Sequence, residues 1–335
     1  MQYKAAMLRL YHLEDPSPSP PSPPPPPAAP PIWTRYFYHN SHLILDVLVP
    51  IGWSILFILL MNRNTFISNS YMPFLGILAA CIANAVPLGG GIVYIPALAL
   101  LGVDLKLGVS FTVATMSFGN GLFGFLRWLQ ADPSLIIWES FLYTVLPCWK
   151  GSLIGIYVLP TPSTTSVKFL FACFCAVVAV LVAYAAYKGG VDKVSFKDTS
   201  ANTTALPSSQ PAPIPSRLSW LLLAVVSFFG GVYLVPNIGV GPALTTYLGL
   251  VIMGFPVQAA VVTGIITGGW VCILPFALNL TTGDVPMTLW LMVIPGVYLG
   301  AKSAPLVHAY CGMQVILGAF AVLLLFNAAL FTLFS

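Results

Sequence analysis

Two clusters of helix-breaking residues interrupt apolar runs in this 335-residue sequence: Asn84-Ala-Val-Pro-Leu-Gly-Gly-Gly-Ile-Val-Tyr-Ile-Pro96 and Pro236-Asn-Ile-Gly-Val-Gly-Pro242. Each is followed by a new apolar segment, so a helix is expected to restart near Gly91 and again near Gly241. The first turn of a helix exposes unpaired N–H groups and carries about half a positive charge. Such an end can hold an anion without a fixed Lys or Arg, and glycine lets a ligand come close to the backbone. In lipid, irregular backbone is tolerated only where protein or a water-filled cavity satisfies its polar groups. Matched breaks in two halves of a chain point to a transport site.

The candidate anion ligands follow from that reading. Asn84, Gly89, Gly90 and Gly91 come from the first cluster, and Asn237, Gly239, Gly241 and Thr245 from the second broken segment. Ser110, Thr112 and Thr115, with Ser117 and Asn120, lie on the span after the first cluster; Thr263 and Thr267 sit one helical turn apart on its counterpart. The competing reading is tight packing at the glycines, kinks at the prolines, and hydroxyls bonded back to their own helices. Lys150 is the one basic residue deep within a span, and an intramembrane charge is a functional candidate by default; its expected partner is the anion or Glu139. Arg127, Lys168 and Lys302 sit at span ends, where snorkelling suffices, and Trp128, Trp138 and Trp290 read as interfacial anchors.

Catalysis finds no support. His12, His39 and His42 all fall in the amino-terminal tail and His308 in a short loop, so no membrane-embedded Ser–His–Asp or His–Glu set can be assembled. There is no Walker motif. The six cysteines form no CxxC and have no His at ligand spacing, so they read as small hydrophobes rather than a metal site. No enzyme, metal or cofactor is expected.

The elements that must position these residues are membrane helices. The chain is 58% hydrophobic and only 7% charged, with mean hydropathy +0.90; soluble domains carry about 25% charged residues. The sequence therefore predicts an all-α, multi-pass integral membrane protein of the plasma membrane or an organelle membrane, with the lipid bilayer as its chief partner. A net charge of +4 without a basic stripe excludes nucleic-acid binding. Residues 1–42 form a Pro-rich tail suited to polyproline II, with no apolar stretch after Met1 of the kind a secretory signal carries. Residues 43–61 make an extra transmembrane helix with Asp46 near enough to its start to be solvated. Residues 71–187 make a first transporter repeat, 188–216 a flexible polar linker, and 217–335 a second repeat.

The repeat is visible residue by residue. Gly89-x-Gly91 aligns with Gly239-x-Gly241 at an offset of 150, and Gly102 with Gly254 at 152. Gly151-x-x-x-Gly155 resembles Gly296-x-x-x-Gly300, a spacing that lets membrane helices pack closely. The half-segment Ile92–Gly102 spans about 16 Å as helix, roughly half the hydrocarbon thickness, which suits a re-entrant hairpin. With hairpins, Arg35, Arg127, Lys188, Lys193, Lys197, Arg217 and Lys302 share one side against Arg63, Lys106 and Lys168. Single crossings divide these basic residues more evenly, so the positive-inside rule also favours hairpins. A hairpin plus three spans is an odd number of full crossings. The expected fold is thus two inverted-topology repeats, each a broken or re-entrant hairpin plus three transmembrane helices, preceded by one extra helix.

Gly89-Gly90-Gly91-Ile-Val-Tyr-Ile-Pro96 with Gly102, and Gly239-x-Gly241-Pro242 with Gly254-x-Pro256 and Ala259-Ala260, resemble the two repeat signatures of the TauE/SafE sulfite-exporter family. The resemblance covers roughly residues 73–334 and implies a carrier for sulfite or organosulfonate-type anions. This chain differs in Pro87, where a glycine is expected, in Val240 between the second pair of glycines, and in its added tail and first span. Transport of another small anion (a carboxylate or halide), a channel, and a non-transporting membrane scaffold are the other readings, and a homo-oligomer is compatible with all of them.

Overall fold

The computed structural model describes residues 39–333 apart from 88, 161, 189–215, 241 and 312; the tail to residue 38, most of the linker and Gly241 lie outside the described residues. Among the described residues the fold is all helical. The helices are α1 His39–Leu60, α2 Arg63–Ser68, α3 Met72–Ala85, α4 Gly91–Leu100, α5 Leu105–Ala131, α6 Glu139–Tyr157, α7 Thr164–Lys188, α8 Arg217–Ile238, α9 Ala243–Ile252, α10 Val257–Thr282, α11 Met287–Tyr310 and α12 Met313–Leu333. Seven of them are long and apolar enough to cross a membrane.

Local chemistry sets their ends. The Asp104 carboxylate accepts from the N–H groups of Lys106 and Leu107 and caps α5, and Ser216 caps α8 through the Ser219 N–H. α4 and α9 close with the same turn 152 positions apart. Val103 N–H donates to Leu98 O and Phe255 N–H to Leu250 O, both at 3.0 Å, around left-handed Gly102 and Gly254.

The spacing of small residues predicts close helix pairs, and the structure identifies the partners. α3 packs on α11 and α8 packs on α6, so the first helix of each half lies against the fourth segment of the other. A methyl group at Gly151 would strike Phe228 O and lie 3.0 Å from Val232 N; one at Gly296 would strike Pro73 O and lie 3.0 Å from Ile77 N. Contacts in both pairs climb in the same direction, so the partners run parallel. α7 and α12 pair with each other antiparallel, with Phe171 against Phe331 (ring centroids 5.0 Å apart) and Val182 near Leu317.

Two spans that read as simple are interrupted at matching places. α5 widens into a π turn over Gly119–Gly124, and α10 breaks at Val271–Cys272. The backbones meet there, since a methyl at Gly121 would lie 3.1 Å from Gly269 C and O.

Other expectations change because packing, not depth in the sequence, decides exposure. Trp128 and Trp290 are buried against neighbouring helices instead of facing outward; Trp290 stacks on Phe276 at 5.8 Å and meets Phe118 edge-on. Arg127 does not simply snorkel. It donates to Tyr298 Oη (3.0 Å) and Gln130 Oε1 (3.1 Å), while Tyr298 donates to Asp46 Oδ1 (2.7 Å). Asp46 is thereby engaged rather than merely solvated, and α1 is fastened to the bundle, also by Trp53 Nε1 donating to Leu291 O at 2.8 Å. His39 and His42 fall in the first turns of α1, and His308 in α11 rather than in a loop.

Candidate functional site

α3 stops where Val86 turns extended (φ −133°, ψ 148°), and the chain passes Pro87 and left-handed Gly89 (φ 78°) before α4 restarts at Gly91. α8 stops at Ile238, where Gly239 (φ 61°) donates to Val235 O at 3.1 Å, and α9 begins at Ala243. Left-handed backbone costs an L-residue about 1–2 kcal/mol, which is why glycine stands at both positions. α4 lies antiparallel to α5, Tyr94 against Phe111 and Leu98 against Gly108.

The two breaks touch. A methyl at Gly91 would lie 3.3 Å from Gly239 O and 3.4 Å from Val240 Cγ2. Thr112 is wedged between them, its methyl carbon 3.0 Å from where a methyl at Gly91 would stand and 3.3 Å from one at Gly239, and its buried hydroxyl has no hydrogen-bond partner. Asn84, fully buried beside the first break, donates to Ala80 O at 2.9 Å and leaves its carboxamide oxygen unpaired.

The remaining candidates separate. Thr115 donates to Phe111 O, Thr245 to Pro242 O and Thr267 to Thr263 O, each at 2.8 Å, so all three bond back to their own helices or caps. Half-buried Asn237 likewise donates to Tyr233 O. Ser110 accepts from Asn279 Nδ2 at 3.2 Å. Thr263 clamps the loop before α6, accepting from Ile137 N–H at 3.0 Å and donating to Leu135 O at 3.2 Å. Lys150 and Glu139 are both exposed on α6 and lie eleven residues apart, about 16 Å along the axis; they form no ion pair with each other. Gly241 lies outside the described residues. The structure thus gathers Gly91, Gly239 and Thr112, with Asn84, Gly89 and Gly90 alongside, and leaves Lys150, Ser110 and Thr263 elsewhere.

A small cavity adjoins the first break, with Gly90, Tyr94, Thr115, Met116, Asn120 and Val297 among its walls. Tyr94 was not among the residues singled out by type and spacing. Its signal is its place four residues after Gly90, since long helical side chains lean back toward the N-terminus. The Gly119-Asn120-Gly121 run marks the π turn in the same way.

No solved structure and no curated protein matches the chain. The model of the family described as Sulfite exporter TauE/SafE matches residues 72–331. The chain belongs to that family, and is an integral membrane protein of a transporter class that moves sulfite or related anions.

Proposed function

We propose that this protein exports a small sulfur-containing anion, sulfite or a sulfonate, bound near the middle of the membrane where the two helix breaks meet. The observation that carries this reading is the direct approach of Gly91 to Gly239 across Thr112. It sets the first turn of α4 against the second break, so that unpaired N–H groups and a helix-end positive charge address one volume. No Lys or Arg is needed there, and an anion held by neutral donors can leave as well as enter.

Many carriers achieve alternating access with two halves of opposite orientation. The pairing of α7 with α12 supports that arrangement: these equivalent last helices run antiparallel, as expected if residues 71–187 and 217–335 enter the membrane from opposite sides. Residues 43–61 then add a lateral helix, and 188–216 link the halves.

Flux of labelled sulfite and of taurine-like sulfonates into proteoliposomes tests the reading. Uptake above that of empty vesicles, lost in Gly91→Leu protein that still inserts, is the expected result. Full flux in Gly91→Leu would sink the site. Flux of carboxylate or halide alone would reassign the substrate, and none at all would favour a scaffold. Accessibility labelling of one cysteine in the linker and another at the carboxyl terminus checks orientation; both on one side would rule out inverted halves.

A further inference from the structure

The cavity beside the first break has room for about one water molecule. Its wall includes Gly90 at the start of the ten-residue α4, together with Tyr94, Thr115 and Asn120. Tyr94 is 1% exposed, and its hydroxyl has no hydrogen-bond partner. A buried, unpaired hydroxyl is unfavourable unless a ligand takes it. The ring leans back over the helix end, with Cε2 2.8 Å from where a Gly90 methyl would stand. Tyr94 and the Gly90 end of α4 therefore border one space, with the Val93 and Tyr94 N–H groups already taken by Gly90 O and those of Gly91 and Ile92 ahead of them in the first turn.

Asn120 faces the same cavity from the π turn and donates to Ala83 O at 3.0 Å, fixing the end of α3 against α5. Short π segments within helices often accompany functional sites.

The second repeat has no equivalent set. Within the helices, whose starts and closing turns lie 152 positions apart, Tyr94 matches Thr246 and Asn120 matches Cys272. The Thr246 hydroxyl is already engaged, donating to Pro242 O at 2.9 Å, and Cys272 Sγ is turned to Gly268 O at 3.3 Å.

We infer that the anion's oxygens are bound at the first break alone, by the Tyr94 hydroxyl and the N–H groups opening α4, in a subsite that takes a small inorganic oxyanion and excludes one bearing a carbon substituent. Asn120 is a positioning residue for that subsite, and Val297 of α11 supplies a wall. The cavity as it stands is water-sized, so even the smallest oxyanion enters only as the flexible Met116 side chain gives way, and a carbon substituent demands a larger displacement of the same wall. This inference rests on the anion-transport reading above.

The test is equilibrium binding of labelled sulfite and of methanesulfonate to the purified full chain, with flux measured in parallel. Wild-type protein is expected to bind sulfite at least about tenfold more tightly than methanesulfonate. Tyr94→Phe should weaken sulfite binding about tenfold, the scale of one hydrogen bond to a charged group, without lowering the unfolding temperature of the ligand-free protein. Cys272→Ser, at the matching position of the second repeat, should bind as wild type. Equal binding of the two anions, or wild-type affinity in Tyr94→Phe, would overturn the subsite. If Gly91→Leu loses sulfite while Tyr94→Phe keeps it, the transport reading stands and the subsite falls. If wild-type protein neither binds nor carries any anion, both fall.

Discussion

At the first break, left-handed Gly89 leads into α4, whose opening turn carries Tyr94 and faces Asn120. At the second, left-handed Gly239 leads into α9, where Thr246 stands at the place of Tyr94, while Cys272 of α10 stands at that of Asn120. The two regions share a left-handed glycine in the break and the paired turns at Gly102 and Gly254. Their side chains differ. Backbone shape is fixed by packing both halves against each other, so neither can drift alone. The matched hydroxyls are used differently: that of Tyr94 has no partner, whereas that of Thr246 donates to Pro242 O.

The largest effect should come from disturbing what the halves share. Gly121→Leu and Gly269→Leu each drive a side chain into the opposite backbone. Both variants are expected to fail to yield a monodisperse protein on size exclusion; survival of either would show that the central crossing tolerates separation.

A smaller effect should divide the two regions. Asn120→Ala leaves Ala83 O without its partner, a loss of about 1–3 kcal/mol for a buried acceptor, and is expected to reduce sulfite flux about tenfold. Cys272→Ala should change flux less than about twofold, the scale of a substitution that touches no key interaction. Equal losses in the two would make the repeats functionally symmetric.

The smallest effect should reunite them. Gly89→Ala and Gly239→Ala both place an L-residue at positive φ, costing about 1–2 kcal/mol. Thermal unfolding should fall by similar amounts in each. A much larger loss at Gly89 would mean that Met116, the side chain a methyl there would meet, cannot move aside.

Much of this architecture was legible in the residues. Glycine and proline clusters marked the breaks because few other residues stop an apolar helix, and the Gly151/Gly155 and Gly296/Gly300 pairs marked close packing faces. Spacing gives a face but not its partner, so the exchange of α3 and α8 between halves was not visible. The depth of Lys150 in its span could be counted, but its direction could not. α8 takes the face of α6 that includes Cys148 and Gly151, and Lys150 remains outside. Arg127 read as a snorkelling end residue because its partners, Tyr298 and Asp46, lie 171 positions ahead and 81 behind. The π turn needed the opposing α10 backbone to be explicable at all.

The exchange of first helices also has a consequence for how the chain is made. α3 is complete at Ala85, while α11, the surface its glycine face fits, begins at Met287. At about 5–20 residues per second, α3 must wait on the order of ten to forty seconds in the membrane before its partner is synthesised. During that interval the Gly76 face has only lipid to meet, and α6 waits in the same way for α8. A chain halted after α7 would hold two such unmatched helices. The protein is written as two similar halves, but it can be completed only as one.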